Sequence, residues 1–556
     1  MIAASGRGGA FEGTERGDIK MLERIPIGRR AALLAGAAVA MLGLAGQAAA
    51  QTPKDTIVMA KQIDDIISLD PGESFEFSGS EAVTNLYDRL IRFDLTDVSK
   101  LYGSLAESWG VAADGKTYTF KLKSGIKFQS GNPLTAADAA WSLQRAVILN
   151  KSPGFILRQF GFTKDNVKDR IKATDATTMT IVVDKPFAPT FFYYCLTATV
   201  ASVIDSKLAM KNEKDGDFGN AWLKTNSAGS GPYKLNSWKA NESYAMTAND
   251  TWFRGKPANR RVVVRHVAEP ASQRLLLEKG DVDYARNLTK DQIEAVRKNA
   301  NVVIEQGRKG SIMYLGLNQK NANLKKPEVR EALKLLTDYD AIEANIVRGT
   351  YVPHQSFLPQ GFLGALAERP YKYDLAKAKA LLAKAGLADG FSVTMDTRNA
   401  SPITDIAQAL QAQWGKAGVK LEIIPGDGKQ TLTKYRARTH DIYIGRWGPD
   451  YQDPHTNAET FAMNEDNTDN AKSKTLAWRN AWDIPDMTKK TVALVLEQDA
   501  KKREAGYQDI QREHQKVSPF VIMFQEIETL ARGKNVEGFI LGPSFDNNFY
   551  YNISKK

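Results

Sequence analysis

The sequence predicts an α/β protein of several domains. Strand-like and helix-like segments alternate along most of the chain, which indicates an α/β fold. A length of 556 residues corresponds to about two to four domains of ordinary size. The hydrophobic fraction of 43% and the charged fraction of 25% are typical of a folded globular protein. Because Cys195 is the single cysteine, an internal disulfide and Cys-rich metal sites are excluded.

Residues 1–50 resemble an export signal rather than part of the fold. Arg29 and Arg30 precede an apolar run, Ala31–Ala45, and the small residues at 48–50 suit cleavage after Ala50. The run is shorter than the roughly 20 residues of a membrane span. The paired arginines resemble a twin-arginine signal, and the flanking residues leave the Sec route open. Met21 stands at a better distance from the arginines than Met1, which makes it an alternative start.

The positive charge does not indicate nucleic-acid binding. The net charge is +11, and removal of residues 1–50, with six basic and four acidic residues, leaves +9. The densest basic segment alternates with valines, as on the solvated face of a strand. It contains Arg254, Lys256, Arg260, Arg261 and Arg265. No nucleic-acid-binding module accompanies it, so no nucleic-acid partner is predicted.

The elements of the first half follow from hydrophobic periodicity and capping signals. Strands are predicted at Thr56–Ala60, Thr117–Lys123, Tyr233–Trp238, Ser243–Ala248 and Arg261–Val267. Helical spacing predicts a helix over Glu81–Ile91, and Thr135 with Asp138 forms a capping-box pattern for another. A helix over Pro270–Lys279 is expected to end at Gly280.

The second half shows the same alternation. Strands are predicted at Tyr314–Leu317, Phe391–Met395, Val419–Ile424, Ile442–Gly445 and Pro519–Phe524. Helices are predicted after Pro327 and Asp374, over Ile406–Ala417, and over the long polar-faced stretch Ala493–Val517.

One nucleotide-binding motif fails on its context. Residues 110–117 match the phosphate-loop pattern G-x-x-x-x-G-K-T. That loop requires a helix directly after the lysine, whereas Thr117–Lys123 alternates as a strand. Asp114-Gly115 is a turn dipeptide, so a hairpin tip is predicted instead.

Signals of catalysis and metal binding are weak. The sequence has no G-x-S-x-G or H-E-x-x-H pattern. The five histidines lack ligand spacing, so no metal or cofactor is predicted. Cys195 follows Phe191, Phe192, Tyr193 and Tyr194, which predicts a buried, unreactive thiol in an apolar strand.

Several segments, in order along the chain, resemble family 5 of the extracytoplasmic solute-binding proteins, which serve the dipeptide, oligopeptide and nickel ABC importers. The most diagnostic block runs from Leu105-Ala-Glu-Ser-Trp109 through residues 114–122 to Thr135-Ala-Ala-Asp138. Further matches are Ser68–Pro71, Asn85–Leu90, Gly229–Tyr233, Gly280–Asp283, Arg330–Leu333 and Tyr373–Gly386.

The resemblance implies a two-lobed periplasmic-binding-protein-like fold with a hinge and an additional inserted domain. Its expected parts are 51–91, 230–308 and 528–556 for the first lobe, 92–229 for the inserted domain and 309–527 for the second lobe. Crossings near Gly307–Gly310 and Phe524–Glu528 are the hinge candidates.

The resemblance also implies a ligand loop after the strand Ile442–Gly445, in the segment Arg446–Pro454. An aspartate of this loop pairs with the peptide ammonium in peptide-binding members, and Asp450 is the matching position in W-x-x-D-Y. Asp453 is a weaker candidate, and both aspartates are alternatively turn caps. Arg398 is the candidate partner of a ligand carboxylate, and a surface arginine or a contact at a helix start is the alternative.

Three aromatic residues are candidate walls of the same site. Trp447 and Tyr451 belong to the loop itself, and Trp414 lies on a predicted helix, where core packing is the alternative.

The function implied is the substrate-binding component of an ABC importer, a periplasmic monomer that captures a peptide or peptide-like solute and delivers it to an inner-membrane permease. Because one fold serves several ligands, an opine, an oligosaccharide or a metal chelate stays an alternative. An exported hydrolase would need a nucleophile, base and orienting group, for which the sequence offers no set. A sensory partner of a membrane receptor is a third class.

Overall fold

The structure, a computed structural model, describes residues 52–471, 473–544 and 547–556. The predicted export signal and its cleavage site lie outside these ranges. Within them, no helix combines the length and apolar character that a membrane span requires.

The segment up to residue 229 contains one strand of the main sheet and a helix, followed by a small separate sheet. Its strands are β1 (Thr56–Lys61), β2 (Ile91–Phe93), β3 (Leu101–Gly103), β4 (Ala106–Val111), β5 (Thr117–Leu122), β6 (Ile171–Ala173) and β7 (Thr178–Val182). Its helices are α1 (Phe77–Leu86), α2 (Ala136–Leu149), α3 (Phe155–Arg158), α4 (Val167–Arg170), α5 (Pro189–Cys195), α6 (Ser206–Lys211) and α7 (Asn220–Leu223), with 3-10 turns at Ser152–Gly154 and Thr199–Ala201.

Residues 230–317 return to the main sheet and end in a very long strand. The elements are β8 (Tyr233–Lys239), β9 (Ser243–Ala248), β10 (Arg261–His266), α8 (Pro270–Lys279), β11 (Tyr284–Ala285), α9 (Lys290–Val296) and β12 (Val302–Leu317). As predicted, Pro270 begins α8 and Gly280, at φ 80°, ends it.

The remaining chain builds the other half of the sheet and its helices. Its strands are β13 (Tyr351–Pro353), β14 (Phe391–Arg398), β15 (Val419–Gly426), β16 (Ile442–Trp447), β17 (Phe520–Gly533), β18 (Val536–Glu537) and β19 (Ser554–Lys555). Its helices are α10 (Pro327–Leu335), α11 (Tyr339–Ile342), α12 (Leu375–Lys384), α13 (Ile403–Gly415), α14 (Gly428–Arg436), α15 (His455–Ala462), α16 (Leu476–Arg479), α17 (Pro485–Leu494) and α18 (Ala500–Val517), with a π-helix at Glu343–Val347.

One mixed sheet runs through both halves of the molecule, in the order β15-β14-β16-β12-β17-β11-β1-β10-β9-β8, and β13 also pairs with β17. The antiparallel pair β12 and β17 therefore belongs to both halves. Its register breaks between Arg308 and Ile312. The hinge candidates predicted from the sequence fall at this break, where bulged pairing interrupts the ladder.

The buried apolar residues form several separate clusters. Residues of β5, β7, α2 and α5 form one cluster above the four-stranded sheet β4-β5-β7-β6. The strands β1, β9 and β10 with α1 and the C-terminal segment form a second cluster. Helices α10, α12 and α13 pack on β14 and β16 in a third. The domain boundaries predicted from the sequence stay a proposal.

A buried ion pair ties the small sheet to the first lobe. Arg145 of α2 donates both terminal nitrogens to Asp70, at 2.8 and 2.6 Å, and both side chains are fully buried. Thr135 and Asp138 form the predicted capping box at the start of α2. The position of α2 is thus set by local capping at one end and a long-range charge pair further along.

The hairpin interpretation of residues 110–117 is confirmed. Strands β4 and β5 pair antiparallel, and the carboxylate of Asp114 accepts the backbone N–H groups of Lys116 and Thr117. Gly115 has φ 66°, as a tight turn requires. No helix follows Lys116, so the geometry of a phosphate loop is absent from this described segment.

Several predicted bounds were wrong. Cys195 lies at the end of helix α5, which Pro189 begins, and not in a strand; it is buried as expected. The stretch Ala493–Val517 forms two helices, because Asp499 caps α18 by accepting the N–H groups of Lys501 and Lys502. The helix predicted over Glu81–Ile91 is displaced towards the N-terminus as α1, and Ile91 begins β2.

Candidate ligand-binding cleft

A cavity of about 570 Å³ lies where the two halves of the large sheet meet. Its wall residues come from the segment after β11, from β17 and from the second half of the sheet. They include Arg286, Lys290, Ser401, Asp405, Arg446, Glu526 and Glu528. Cavities between lobes are where α/β binding proteins take small ligands.

The strand β16 carries an arginine into this cavity. Arg446 donates to Glu526 Oε1 at 3.1 Å and to the Tyr351 hydroxyl at 3.4 Å. Glu526 raises the pKa of Arg446. The charge of this arginine is therefore already balanced by a carboxylate of the wall.

Next to the cavity, a buried charge network joins α1 to the two crossing strands. Arg286 contacts both Glu81 and Glu528, and Lys309 of β12 lies 2.8 Å from Glu528. Lys61 is the second partner of Glu81. Burial by itself would raise the pKa of Glu81, but Arg286 and Lys61 outweigh it and lower the value to about 2. Through these ion pairs, β12 and β17 contact Arg286 and α1 close to the register break.

Asp450 lies at a second, smaller cavity of about 190 Å³, where the first lobe, the small sheet's helices and the loop after β16 meet. It is half-buried, and its backbone N–H donates to Thr456 Oγ1 at 3.0 Å. Among the described residues, no cation or hydrogen-bond donor contacts its carboxylate. Burial, with a smaller contribution from Glu459, raises its pKa from 3.8 to about 7. A carboxylate in this setting gains most from a cation supplied by a ligand.

A second carboxylate shares this environment. Glu459 of α15 has a pKa raised to about 7, chiefly by burial and then by Glu465. His455 Nε2 lies 3.9 Å from Glu459, but burial lowers the pKa of His455 to about 3, so the imidazole is neutral near pH 7. Near pH 7, therefore, neither Asp450 nor Glu459 has a cationic partner among the described residues.

Asp453, the weaker ligand candidate, is committed to the protein interior. Its two oxygens accept from Arg503 Nη1 and Nη2 at 2.7 and 2.6 Å, and one also accepts the His455 N–H at 2.9 Å. Both charged side chains are buried. The structure places Asp453 as the partner of Arg503 and does not bring it to the cavity.

Of the three aromatic candidates, two are buried in apolar clusters and one is half-buried. Trp414 is fully buried in the cluster under β14 and β16, so core packing accounts for it. Tyr451 is 3% exposed and packs into the apolar cluster of the small sheet, 5.8 Å from the ring of Phe191. Trp447 is half-buried, packs edge-on against Phe461, and its indole N–H has no partner among the described atoms.

Arg398 is the last residue of β14, not part of the following loop, and is exposed. Among the described residues, none accepts a hydrogen bond from its guanidinium. The guanidinium lies against Gly428, where a Cβ would come within 2.8 Å of Arg398 Nε. Ser401 and Pro402, just beyond it, line the larger cavity.

Three residues in or beside these cavities were not predicted from the sequence: Glu526 and Ile156, which line them, and Glu459, whose charge acts on Asp450. Glu526 lies on a strand whose continuation past Phe524 has no strong apolar signal. Glu459 lies one helical turn after His455, a spacing that is common on ordinary helices. Ile156 reads as a core residue, and only its three-dimensional position brings it to the cavity.

Among the described residues, no group of three or more His, Cys, Asp or Glu side chains could hold a metal ion.

A protein-family model described as bacterial extracellular solute-binding proteins, family 5 middle, matches residues 100–469, more than half of the chain. The chain belongs to this family. Family 5 proteins are solute-binding receptors of ABC transporters, and the match confirms the family predicted from the sequence.

Two relatives cover nearly the whole chain. The probable D,D-dipeptide-binding periplasmic protein DdpA of Escherichia coli K12 is 29% identical over 91% of this chain and 95% of its own length. The glutathione-binding protein GsiB of Salmonella paratyphi A is 26% identical over 92% of this chain and 98% of its own length. As the family's description and DdpA's name indicate, family 5 proteins act outside the cytoplasm.

Solved structures confirm the two-lobed periplasmic-binding-protein fold. The binding protein DppA of Helicobacter pylori, solved with the peptide STSA, superposes with a TM-score of 0.74 at 23% identity, covering 90% of this chain and 98% of its own. The substrate-binding protein CtaP of Listeria monocytogenes gives a TM-score of 0.79 at 22% identity, covering 91% and 100%.

Proposed function

We propose that this family 5 protein is the substrate-binding component of an ABC importer and captures a short peptide with a free amino terminus. The supporting observation is Asp450, a half-buried carboxylate without a cationic partner among the described residues, at a cavity between the lobes. The solute would then be delivered to the permease in the inner membrane.

The ammonium of the peptide would supply the missing cation. An ionised carboxylate and an ammonium form a charge-assisted hydrogen bond, which is stronger where water is excluded. The raised pKa of Asp450 reflects burial without compensation, and a bound cation would reverse that cost. The larger cavity, beginning at Arg446, would take the remainder of an extended peptide.

The carboxylate end of the ligand has Arg398 as its proposed partner. A guanidinium fork binds a carboxylate through two parallel hydrogen bonds, and no described acidic group competes for it. Arg446 is less suited to this role, since Glu526 and Tyr351 already hold it. Trp447 is proposed as an aromatic wall beside the bound peptide.

The names of the relatives support a peptide-like ligand. DdpA is named for D,D-dipeptides, GsiB for glutathione, and the H. pylori structure contains a peptide. Other structures with this fold contain mannopinic acid or a nickel–histidine complex. Asp450 favours an amine-bearing peptide over an oligosaccharide.

Capture would involve closure of the lobes at the register break of β12 and β17, with the domain boundaries predicted from the sequence. We further propose that the protein is a monomer. It would be exported by a twin-arginine-like or Sec signal, which is cleaved after Ala50.

Calorimetric titration of the mature protein tests this function. The panel contains free dipeptides and tripeptides, their N-acetylated forms, an opine, an oligosaccharide and a nickel chelate. We expect binding of free peptides and none of the acetylated forms, because acetylation removes the charge that Asp450 receives. Equal binding of acetylated peptides, or binding of a non-peptide alone, would refute the proposal.

Asp450→Asn should weaken binding of a free peptide by about 2–5 kcal/mol, as for loss of one partner of a buried charge pair. Asp466→Asn is the matched control, because Asp466 is exposed and contacts Thr468 in a surface loop. Unchanged affinity of the Asp450 variant would remove this residue from the site.

A further inference from the structure

Three regions of the chain build the smaller cavity, whose lining combines aliphatic and aromatic side chains with the polar groups of Ser80, Thr199 and Asp450. Phe75 and Phe77 come from the start of α1, Ile156 and Ala198 from the small-sheet region, and Pro449 and Asp450 from the loop after β16. Its volume is about 190 Å³. A ligand group that reaches Asp450 must therefore share a small space with aliphatic and aromatic walls.

Packing holds the Ile156 side of this cavity in place. Ile156 is 1% exposed and belongs to the apolar cluster of the small sheet. Phe75 packs edge-on against Phe155 at 6.0 Å. The ring of Phe77 approaches Gly448 so closely that a Cβ there would lie 3.1 Å from it. Close-packed interiors resist expansion, so the Ile156 wall has little freedom to move, whereas Phe77 is 45% exposed.

The volume sets the size of its occupant. An apolar protein cavity of about 150 Å³ holds one benzene molecule, about 25 Å³ for each heavy atom. On that scale this cavity holds about seven heavy atoms. The ammonium, α-carbon and carbonyl group of a first residue take about four of them, which leaves about three or four for its side chain.

We infer that this cavity receives the first residue of the bound peptide and restricts it to small aliphatic side chains such as those of alanine and valine, with Ile156 and Ala198 as the specificity-determining residues. The inference rests on the proposed function, since it places the ammonium at Asp450. Phenylalanine and tryptophan in first position exceed the space and would have to displace packed side chains. An acidic first side chain would place a second negative charge beside Asp450 and Glu459.

Titration with dipeptides Xaa-Ala, in which Xaa is Ala, Val, Phe or Trp, tests the size limit. Ala-Ala is included in both L,L and D,D forms. We expect Ala-Ala and Val-Ala to bind at least about 10-fold more tightly than Phe-Ala and Trp-Ala. The reversed series Ala-Xaa should show a weaker dependence on size, because its variable residue lies outside the small cavity.

Two variants test the assigned residues. Ile156→Ala enlarges the cavity and should lower the ratio of the Phe-Ala to Ala-Ala dissociation constants at least about fivefold. Ala198→Leu fills the cavity and should weaken binding of Val-Ala more than binding of Gly-Ala. Ile126→Ala is the matched control. Ile126 belongs to the same apolar cluster as Ile156 but does not line the cavity, so its loss should leave the ratio unchanged.

The outcomes separate this inference from the function on which it rests. If free peptides bind without any rank by first-residue size, or if Ile156→Ala and Ile126→Ala behave alike, the specificity assignment is wrong and the proposed function stands. If acetylated peptides bind as well as free ones, the proposed function itself fails.

Discussion

Asp450 and Asp453 lie three residues apart in one loop and have opposite surroundings. Asp453 accepts two short hydrogen bonds from Arg503 and a third from the backbone, in full burial. Asp450 is half-buried at a cavity, with no cation among the described residues and a pKa near 7. The comparison shows that the fold balances the charge of Asp453, which holds the loop in place, and leaves Asp450 without a cation among the described residues.

Removing the charge of Asp453 should have the largest effect. Asp453→Asn leaves Arg503 buried without its counter-ion, which should lower the free energy of unfolding by about 3–5 kcal/mol. Chemical denaturation followed by tryptophan fluorescence measures this loss. Asp509→Asn is the control, because Asp509 is 80% exposed, its partner Arg512 is 42% exposed, and its loss should cost less than about 1 kcal/mol. Equal effects of the two changes would contradict the structural role of Asp453.

Affinity for a free peptide should depend on pH through Asp450. Its pKa near 7 in the free protein means that a proton must leave before the ammonium can bind, so affinity should fall up to tenfold for each pH unit below about 7. Above about pH 8 the ligand amine loses its own charge, which places the optimum between these values.

Titration calorimetry from pH 5 to pH 9 measures this profile. Asp450→Asn should lose most of the acid-side slope, and Glu459, whose pKa is also near 7, accounts for any remainder. An acid-side slope that is identical in the variant would assign the titration to another group.

The same substitution should slightly stabilise the ligand-free protein. The pKa of Asp450 in the folded protein, near 7, exceeds the ordinary value of 3.8, so the folded state holds the proton more tightly than the unfolded state. Its contribution to stability therefore falls as pH rises from about 4 to 7. Asp450→Asn should raise the free energy of unfolding at pH 8 by at most about 1 kcal/mol, since water still screens part of the charge. At pH 4 thermal denaturation should show the same stability for the variant and the unchanged protein. A variant that is less stable than the unchanged protein at pH 8 would contradict this account.

The smallest effect is expected from removing the hydroxyl group of Tyr451, which is buried without a partner among the described atoms. Tyr451→Phe removes that hydroxyl and keeps the ring against Phe191, so stability and peptide affinity should change by less than about 1 kcal/mol. Tyr451→Ala, which empties the ring's place in the apolar cluster, should cost about 3–5 kcal/mol in denaturation measurements. A large loss of affinity in the Phe variant would instead place the hydroxyl at the ligand.

Much of the fold could be predicted because its signals are local. The capping box of Thr135 and Asp138, the turn at Asp114-Gly115 and the helix end at Gly280 each depend on residues within about four positions. The break between α17 and α18 could not be predicted, although Asp499 is a good cap, because no Gly or Pro separates the two helices. Cys195 was assigned to a strand because a short apolar run does not distinguish a strand from a buried helix.

Local residue patterns predict the α/β class, the order of most elements, the family resemblance and the loop that carries Asp450. The tertiary structure decided which charges are balanced. Arg503 lies 50 residues after Asp453 and Glu528 lies 242 residues after Arg286, and only folding brings these pairs together. Whether an aspartate holds the fold or faces a ligand depends on burial and on distant partners. Local residue patterns carry no information about either.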